Sequence, residues 1–121
     1  MNVTQAKNNI MGKFIITKRK NGYYQFNLKA GNGQVILTSQ GYSTKSGCKN
    51  GIESVKTNSS FDSRYDKGIA VNSQYYFNLK AGNGEIIGTS EMYTTTSARD
   101  NGIESVKNNA PNAEIVDETG E

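Results

Sequence analysis

Apolar residues recur along this chain in two different periods, and the switch between them happens twice. Over Tyr23–Lys29 the alternation is clean, with Tyr24, Phe26 and Leu28 set against Gln25, Asn27 and Lys29, which predicts a strand with one buried face. Ahead of it, Phe14–Lys18 (FIITK) is rich in the β-branched and aromatic residues that suit a pleated surface. Lys20–Asn21–Gly22 between the two predicts a tight turn. Ala30–Gly33 (AGNG) predicts a second turn, leading to a third strand at Gln34–Ser39. In that strand Val35, Ile36 and Leu37 are consecutive, so alternation does not set an inward face, and the run suits a strand well inside a sheet. After Tyr42 the period lengthens. Ser43 or Thr44 can cap a helix, and Cys48, Ile52 and Val55 follow at spacings of four and three, the buried stripe of an amphipathic helix reaching to Asn58. Gly51 lies mid-helix, where it costs about 1 kcal/mol against alanine. Its recurrence as Gly102 predicts a close backbone approach, helix to sheet or helix to helix.

The whole scheme is then repeated 51 residues later without a gap. FNLKAGNG stands at Phe26–Gly33 and Phe77–Gly84, and NGIESVK at Asn50–Lys56 and Asn101–Lys107. Between Tyr24–Asn58 and Tyr75–Asn109, 23 of 35 positions are identical. The second copy predicts a weaker first strand at Arg64–Val71, strands at Gln74–Lys80 and Glu85–Ser90, and a helix from Thr95 or Ser97 to Asn108. Pro111 stops that helix, and Ala113–Asp117 reads as a last strand. The expected organisation is a disordered tail over residues 1–11, a first repeat over 12–61, a second over 62–117, and an acidic tail over 118–121. Each repeat alone buries too little apolar surface to stand by itself. The economical arrangement is an α+β domain in which both repeats build one mostly antiparallel sheet, with two helices on one face and a pseudo-two-fold axis between the copies.

LKAGNG, an apolar strand, TS with a following Tyr, then NGIESVK, all in tandem and closing on NAP, resembles the YegP-like family of small bacterial proteins of unknown function. The resemblance covers roughly Gly12 to Asp117. It implies two β3-α-β units sharing one sheet, with C-terminal strands exchanged between units, which would make Arg64–Lys67 and Ala113–Asp117 integral to the sheet. It implies that single-repeat relatives reach the same arrangement as dimers, and it carries over no catalytic or binding residues. The chain departs from the pattern in its Asn-rich start and in having Cys48 where the second copy has Arg99.

Composition narrows the chemistry. The chain has no histidine, hence neither the commonest general base nor the commonest metal ligand. Its one cysteine, Cys48, lies on the helix's apolar stripe and reads as a small buried hydrophobe rather than a nucleophile. Glu53 and Glu104 are repeat-equivalent carboxylates, but they read as solvated helix positions and make a poor cation site. GNG precedes a strand, not a helix, and reads as a hairpin turn rather than a phosphate loop. No metal or cofactor is expected. The first ten residues lack a signal peptide's apolar core, and no window approaches the roughly 20 apolar residues of a membrane span. A cytoplasmic protein is expected.

Charge is divided unevenly. Residues 1–57 hold nine Lys/Arg and one acid, whereas residues 58–121 hold five Lys/Arg and ten acids. Either the copies attract each other, the basic copy meets an anionic partner, or the surface has simply drifted. The cations Lys18, Arg19, Lys20 and Lys29, with Tyr23 and Tyr76, form the candidate ligand contacts, because aromatics on a sheet beside cations can stack on bases and meet phosphates. The reading that results is a monomeric, non-catalytic binding or structural module using an exposed sheet face for a protein partner. The alternative is a weak single-stranded nucleic-acid binder using the basic repeat. No residue constellation supports an enzyme.

Overall fold

In the computed structural model, which describes residues 12–121, each hairpin turn is held by its own asparagine. The Gly33 N–H donates to the Ala30 carbonyl at 2.9 Å, and the Gln34 N–H donates to Asn32 Oδ1 at 3.0 Å. Gly33 takes φ 86° and its counterpart Gly84 φ 90°, the left-handed angle that ends this three-residue turn. The expected tail over residues 1–11 lies outside the described residues.

The elements in chain order are β1 (Lys13–Lys18), β2 (Tyr24–Lys29), β3 (Val35–Thr38), α1 (Lys45–Asn58), β4 (Tyr65–Ile69), β5 (Tyr75–Lys80), β6 (Ile86–Thr89), α2 (Thr96–Asn109) and β7 (Glu114–Asp117). Single 3-10 turns at Asp62–Arg64 and Ala110–Asn112 follow the helices. Thr44 and Thr95 are the N-caps, each accepting a hydrogen bond from the backbone N–H three residues on, at 2.9 and 3.0 Å.

Seven strands form one sheet in the order β4-β5-β6-β3-β2-β1-β7. All neighbours are antiparallel except β1 and β7. The two repeats meet at β3 and β6, where Thr38 pairs with Thr89, residues 51 apart, so the pseudo-two-fold axis passes between them. Both helices contribute buried residues to a single core with Phe14, Phe26, Leu28, Phe77 and Leu79. Each helix also reaches the other repeat's strands, α1 touching β5 and β6 and α2 touching β3. The last strand of the second repeat, β7, lies parallel to β1 of the first, with Phe14 beside Ile115. The first repeat has no separate strand of this kind, because after α1 the chain runs directly into β4.

The three consecutive apolar residues of β3 are explained by a bulge. Leu28 pairs with Leu37 and Lys29 with Val35, leaving Ile36 as the extra residue, and the same shift recurs at Leu79/Lys80. Ile36 and Leu37 are consequently both buried.

The helix glycines have a different cause from the one expected. What approaches Gly51 and Gly102 is not backbone but a tyrosine ring. A Cβ on Gly102 would lie 2.5 Å from Tyr93 Oη, and one on Gly51 would collide with Tyr42. Tyr42 and Tyr93 sit on isolated bridges to Tyr24 and Tyr75, which swing their rings beneath the helices, and Tyr42 stacks on Phe26 at 6.4 Å. At the axis, symmetry is broken by volume. Leu37 occupies the place its counterpart would fill, and a Cβ on Gly88 would lie 2.5 Å from Leu37 Cγ.

Candidate functional site

With both helices on one side, among the described residues no element covers the other face of the sheet. The register runs a row of side chains across it: Ile15, Asn27, Thr38, Thr89, Asn78 and Asp66 stand side by side on six successive strands. The middle four read Asn–Thr–Thr–Asn about the pseudo-axis, and Thr89 donates to Asn78 Oδ1 at 2.7 Å. Amides and hydroxyls offer both donors and acceptors without titrating near neutral pH. Two equivalent clefts flank the axis, where a turn from one repeat faces the segment between strand and helix of the other. One, of about 450 Å³, is lined by Gln34, Val35, Glu91, Met92 and Tyr93. The other, of about 490 Å³, is lined by Gln40, Tyr42, Glu85 and Ile86, among others.

The candidate contact residues are dispersed over this frame. Lys18 shares the helix-side face of β1 with Phe14 and Ile16 and is spoken for: its Nζ donates to Glu121 Oε2 at 2.7 Å and lies 5.3 Å from the Tyr24 ring centroid. Arg19 donates to Gln25 Oε1 at 2.6 Å and packs over Gly41 beside the half-exposed Tyr23. Lys20 is exposed in the turn that follows. Lys29 is at the far end of β2, pairing across from Lys13. Tyr76 belongs to β5, three strands from β2, and its ring lies over Gly68 of β4, filling the space where a side chain would stand. Arg19 and Tyr23 are thus brought together, while Lys18, Lys29 and Tyr76 are not.

The divided charge has an internal counterpart, the attraction between copies that the charge count raised, through residues the sequence did not single out. The acidic C-terminus folds back on the basic repeat. Lys45 Nζ lies 2.7 Å from Asp117 Oδ2 and donates to the Glu121 carbonyl at 3.2 Å. Tyr24 Oη donates to Glu121 Oε1 at 2.5 Å, and Lys13 stands 3.8 Å from Glu114. The Glu118 N–H continues the β7 ladder by donating to the Ile16 carbonyl at 2.9 Å. The Lys45 ammonium first, then the Thr119 hydroxyl and N–H, hold the Asp117 carboxyl well below its usual range. Lys18, then Tyr24, lower that of Glu121. The excess of positive charge in one half and negative charge in the other was the available signal. Which residues meet could not be read, because they lie up to 103 positions apart.

Cys48 is fully buried, and burial pushes its thiol up to about 11, so it is protonated at neutral pH and inert as a nucleophile. Glu53 and Glu104 are exposed, the latter beside Lys107 at 3.4 Å. Among the described residues, no group of three acidic or Cys side chains is placed to hold a metal ion, and no helix is long and apolar enough to cross a membrane.

Known proteins share this arrangement throughout. The family model described as "Domain of unknown function (DUF1508)" matches twice, over residues 20–66 and 70–117. A UPF0339 protein of Shewanella oneidensis is 56% identical over 108 residues, spanning 89% of this chain and 98% of its own. The UPF0339 protein YegP of Escherichia coli is 46% identical over 108 residues, again with 98% of that protein covered. The solution structure of the E. coli protein, described as of unknown function, superposes with a TM-score of 0.87 over 92% of this chain and 96% of that one. That of a S. oneidensis UPF0339 protein, 55% identical, superposes with a TM-score of 0.85 over 90% and 92%.

Proposed function

From the premise that the chain belongs to the family of the DUF1508 domain, carrying two copies of it, we propose that it is a non-catalytic binding module presenting its uncovered sheet face to a protein partner. The observation that carries this is the Asn27–Thr38–Thr89–Asn78 row, on a face that among the described residues no helix covers. Such a face is rich in hydrogen-bonding groups and is backed by the core. Uncharged central positions with charges only toward the rim suit a protein better than a polyanion. The nucleic-acid alternative is disfavoured by the separation of Lys29 and Tyr76 from Arg19 and Tyr23, and by the acid already bound to Lys18. The buried thiol supports the non-catalytic reading, as does the pairing of the clustered acids and lysines with one another in ion pairs. A monomeric state and a cytoplasmic location belong to the same proposal.

A photo-crosslinking residue placed at Thr38 on the sheet face, and in a control at Glu53 on the outer side of α1, tests it in cells. We expect Thr38 but not Glu53 to capture one reproducible protein, and Asn27→Lys with Asn78→Lys to abolish that capture. Equal capture from both positions, or capture indifferent to the lysines, would overturn the reading. A tight dimer in sedimentation would overturn the monomeric part of it.

A further inference from the structure

β1 and β4 are equivalent strands of the two repeats, but only β1 has a neighbour on its outer side. The site that β7 fills in the first repeat is therefore present a second time. Among the described residues nothing occupies it. It consists of the outer edge of β4 and a cleft of about 420 Å³ between β4 and α2, lined by Asp62, Tyr65, Lys67, Asp100, Ile103, Glu104 and Lys107. Tyr65 and Ile103 are the counterparts, at an offset of 51, of Phe14 and Ile52, and Phe14 is the residue that β7 sets beside Ile115. The Ile16 carbonyl accepts the ladder hydrogen bond from Glu118, and its counterpart is Lys67, which pairs with Phe77 in the register that Ile16 keeps with Phe26. Beyond the edge, Ile69 is 67% exposed and Val71 fully so, an apolar margin on a strand end that has no neighbour.

We infer that the β4 edge and its cleft are a docking site for an extended segment of a partner protein, added as an eighth strand parallel to β4, as β7 is added to β1. The internal copy supplies the pose: an apolar residue beside Tyr65, over Ile103, with main-chain hydrogen bonds to β4. The side chains also specify what that segment is not. The two lysines that receive the acidic end of β7, Lys18 and Lys45, are replaced at the equivalent positions by Ile69 and Thr96, and Lys49 by Asp100. An acidic end like residues 117–121 of a second copy would lack that lysine pair and would meet a cleft in which three carboxylates, Asp62, Asp100 and Glu104, outnumber two lysines, with Lys67 already held by Asp100 at 3.1 Å and Lys107 by Asp62. The segment that fits has β7's apolar core followed by neutral or basic residues. This surface is an edge, separate from the open face, so the two proposals fail independently.

The test is an NMR titration of the full chain with two nine-residue peptides. One copies residues 113–121 (AEIVDETGE), and the other is the neutral-to-basic version AEIVKQTGK. We expect the second to shift amides of β4 and α2 and to bind about five-fold more tightly than the first, as loss of a pair of exposed ionic contacts would give. In Ile69→Lys/Thr96→Lys, which rebuilds the lysine pair at two exposed positions, the order of preference should invert. Absence of shifts on β4, or an order of preference that the double variant leaves unchanged, would refute the proposal. If β4 amides shift on concentrating the protein alone, with a dimer in sedimentation, the edge belongs to a second copy and the inference is wrong.

Discussion

Leu37 and Gly88 differ because one leucine fills the space at the pseudo-axis that two would contest. Restoring the repeat with Gly88→Leu should overpack the core and lower stability by about 1–3 kcal/mol. The exchange Leu37→Gly/Gly88→Leu should recover most of that loss, and paired urea denaturation curves would show whether it does. A similar argument covers Cys48. Its buried thiol should resist an exposed-thiol reagent at pH 8 in the native protein and react at once in denaturant, and rapid native labelling would contradict the burial described here. At this scale the sequence was informative about which residues are buried and less so about why. The apolar stripe Cys48, Ile52, Val55 is inside as spacing required. The helix glycines were recognised as close-approach positions, but the approaching group, a tyrosine ring, was hidden, because Tyr42 stands at an irregular position that no periodicity governs.

Among the elements, those with internal periodicity were legible and those defined by a neighbour were not. Both helices and β2 and β5 could be placed from spacing alone. The strand β7 has four residues and gains its parallel partner from the far end of the chain, so nothing in EIVD names β1. Only the family resemblance made it integral. Its attachment should depend on acid. The folded carboxyls of Asp117 and Glu121 titrate below their ordinary values of 3.8 and 4.5. Their contribution is therefore complete above those values and is lost as pH falls through the lower folded ones. Melting temperature should drop below about pH 4, with amides of β1 and β7 losing exchange protection first. Asp117→Asn/Glu121→Gln should be less stable at neutral pH and should show a smaller acid step, the remainder coming from Asp62 and Asp100, whose carboxyls Lys107 and Lys67 also lower. An acid step of unchanged size, or unchanged early loss of β1 and β7 protection, in the double variant would place the effect elsewhere.

At the level of the molecule, the doubled sheet was readable because the repeat itself is readable, whereas its asymmetry was visible only as a charge count. The acidic end neutralises part of the basic repeat, so removing it should expose that charge. Asp117→Asn/Glu121→Gln should be retained on a heparin column to higher salt than Glu85→Gln/Glu91→Gln, which removes the same charge from elsewhere in the second repeat. Equal retention would show that the tail does not screen the lysines. The parallel pairing of β7 with β1 also has a consequence in time. Lys13–Lys18 leaves the ribosome about 100 residues ahead of Glu114–Asp117, which at roughly 5–20 residues per second is a delay of about 5–20 s. Through that interval β1 has an unpaired outer edge beside Phe14 and Ile16. β1, made before every other described strand, is the last to be enclosed, and until β7 arrives the six-residue β1 rather than the four-residue, acid-flanked β7 forms that edge of the sheet.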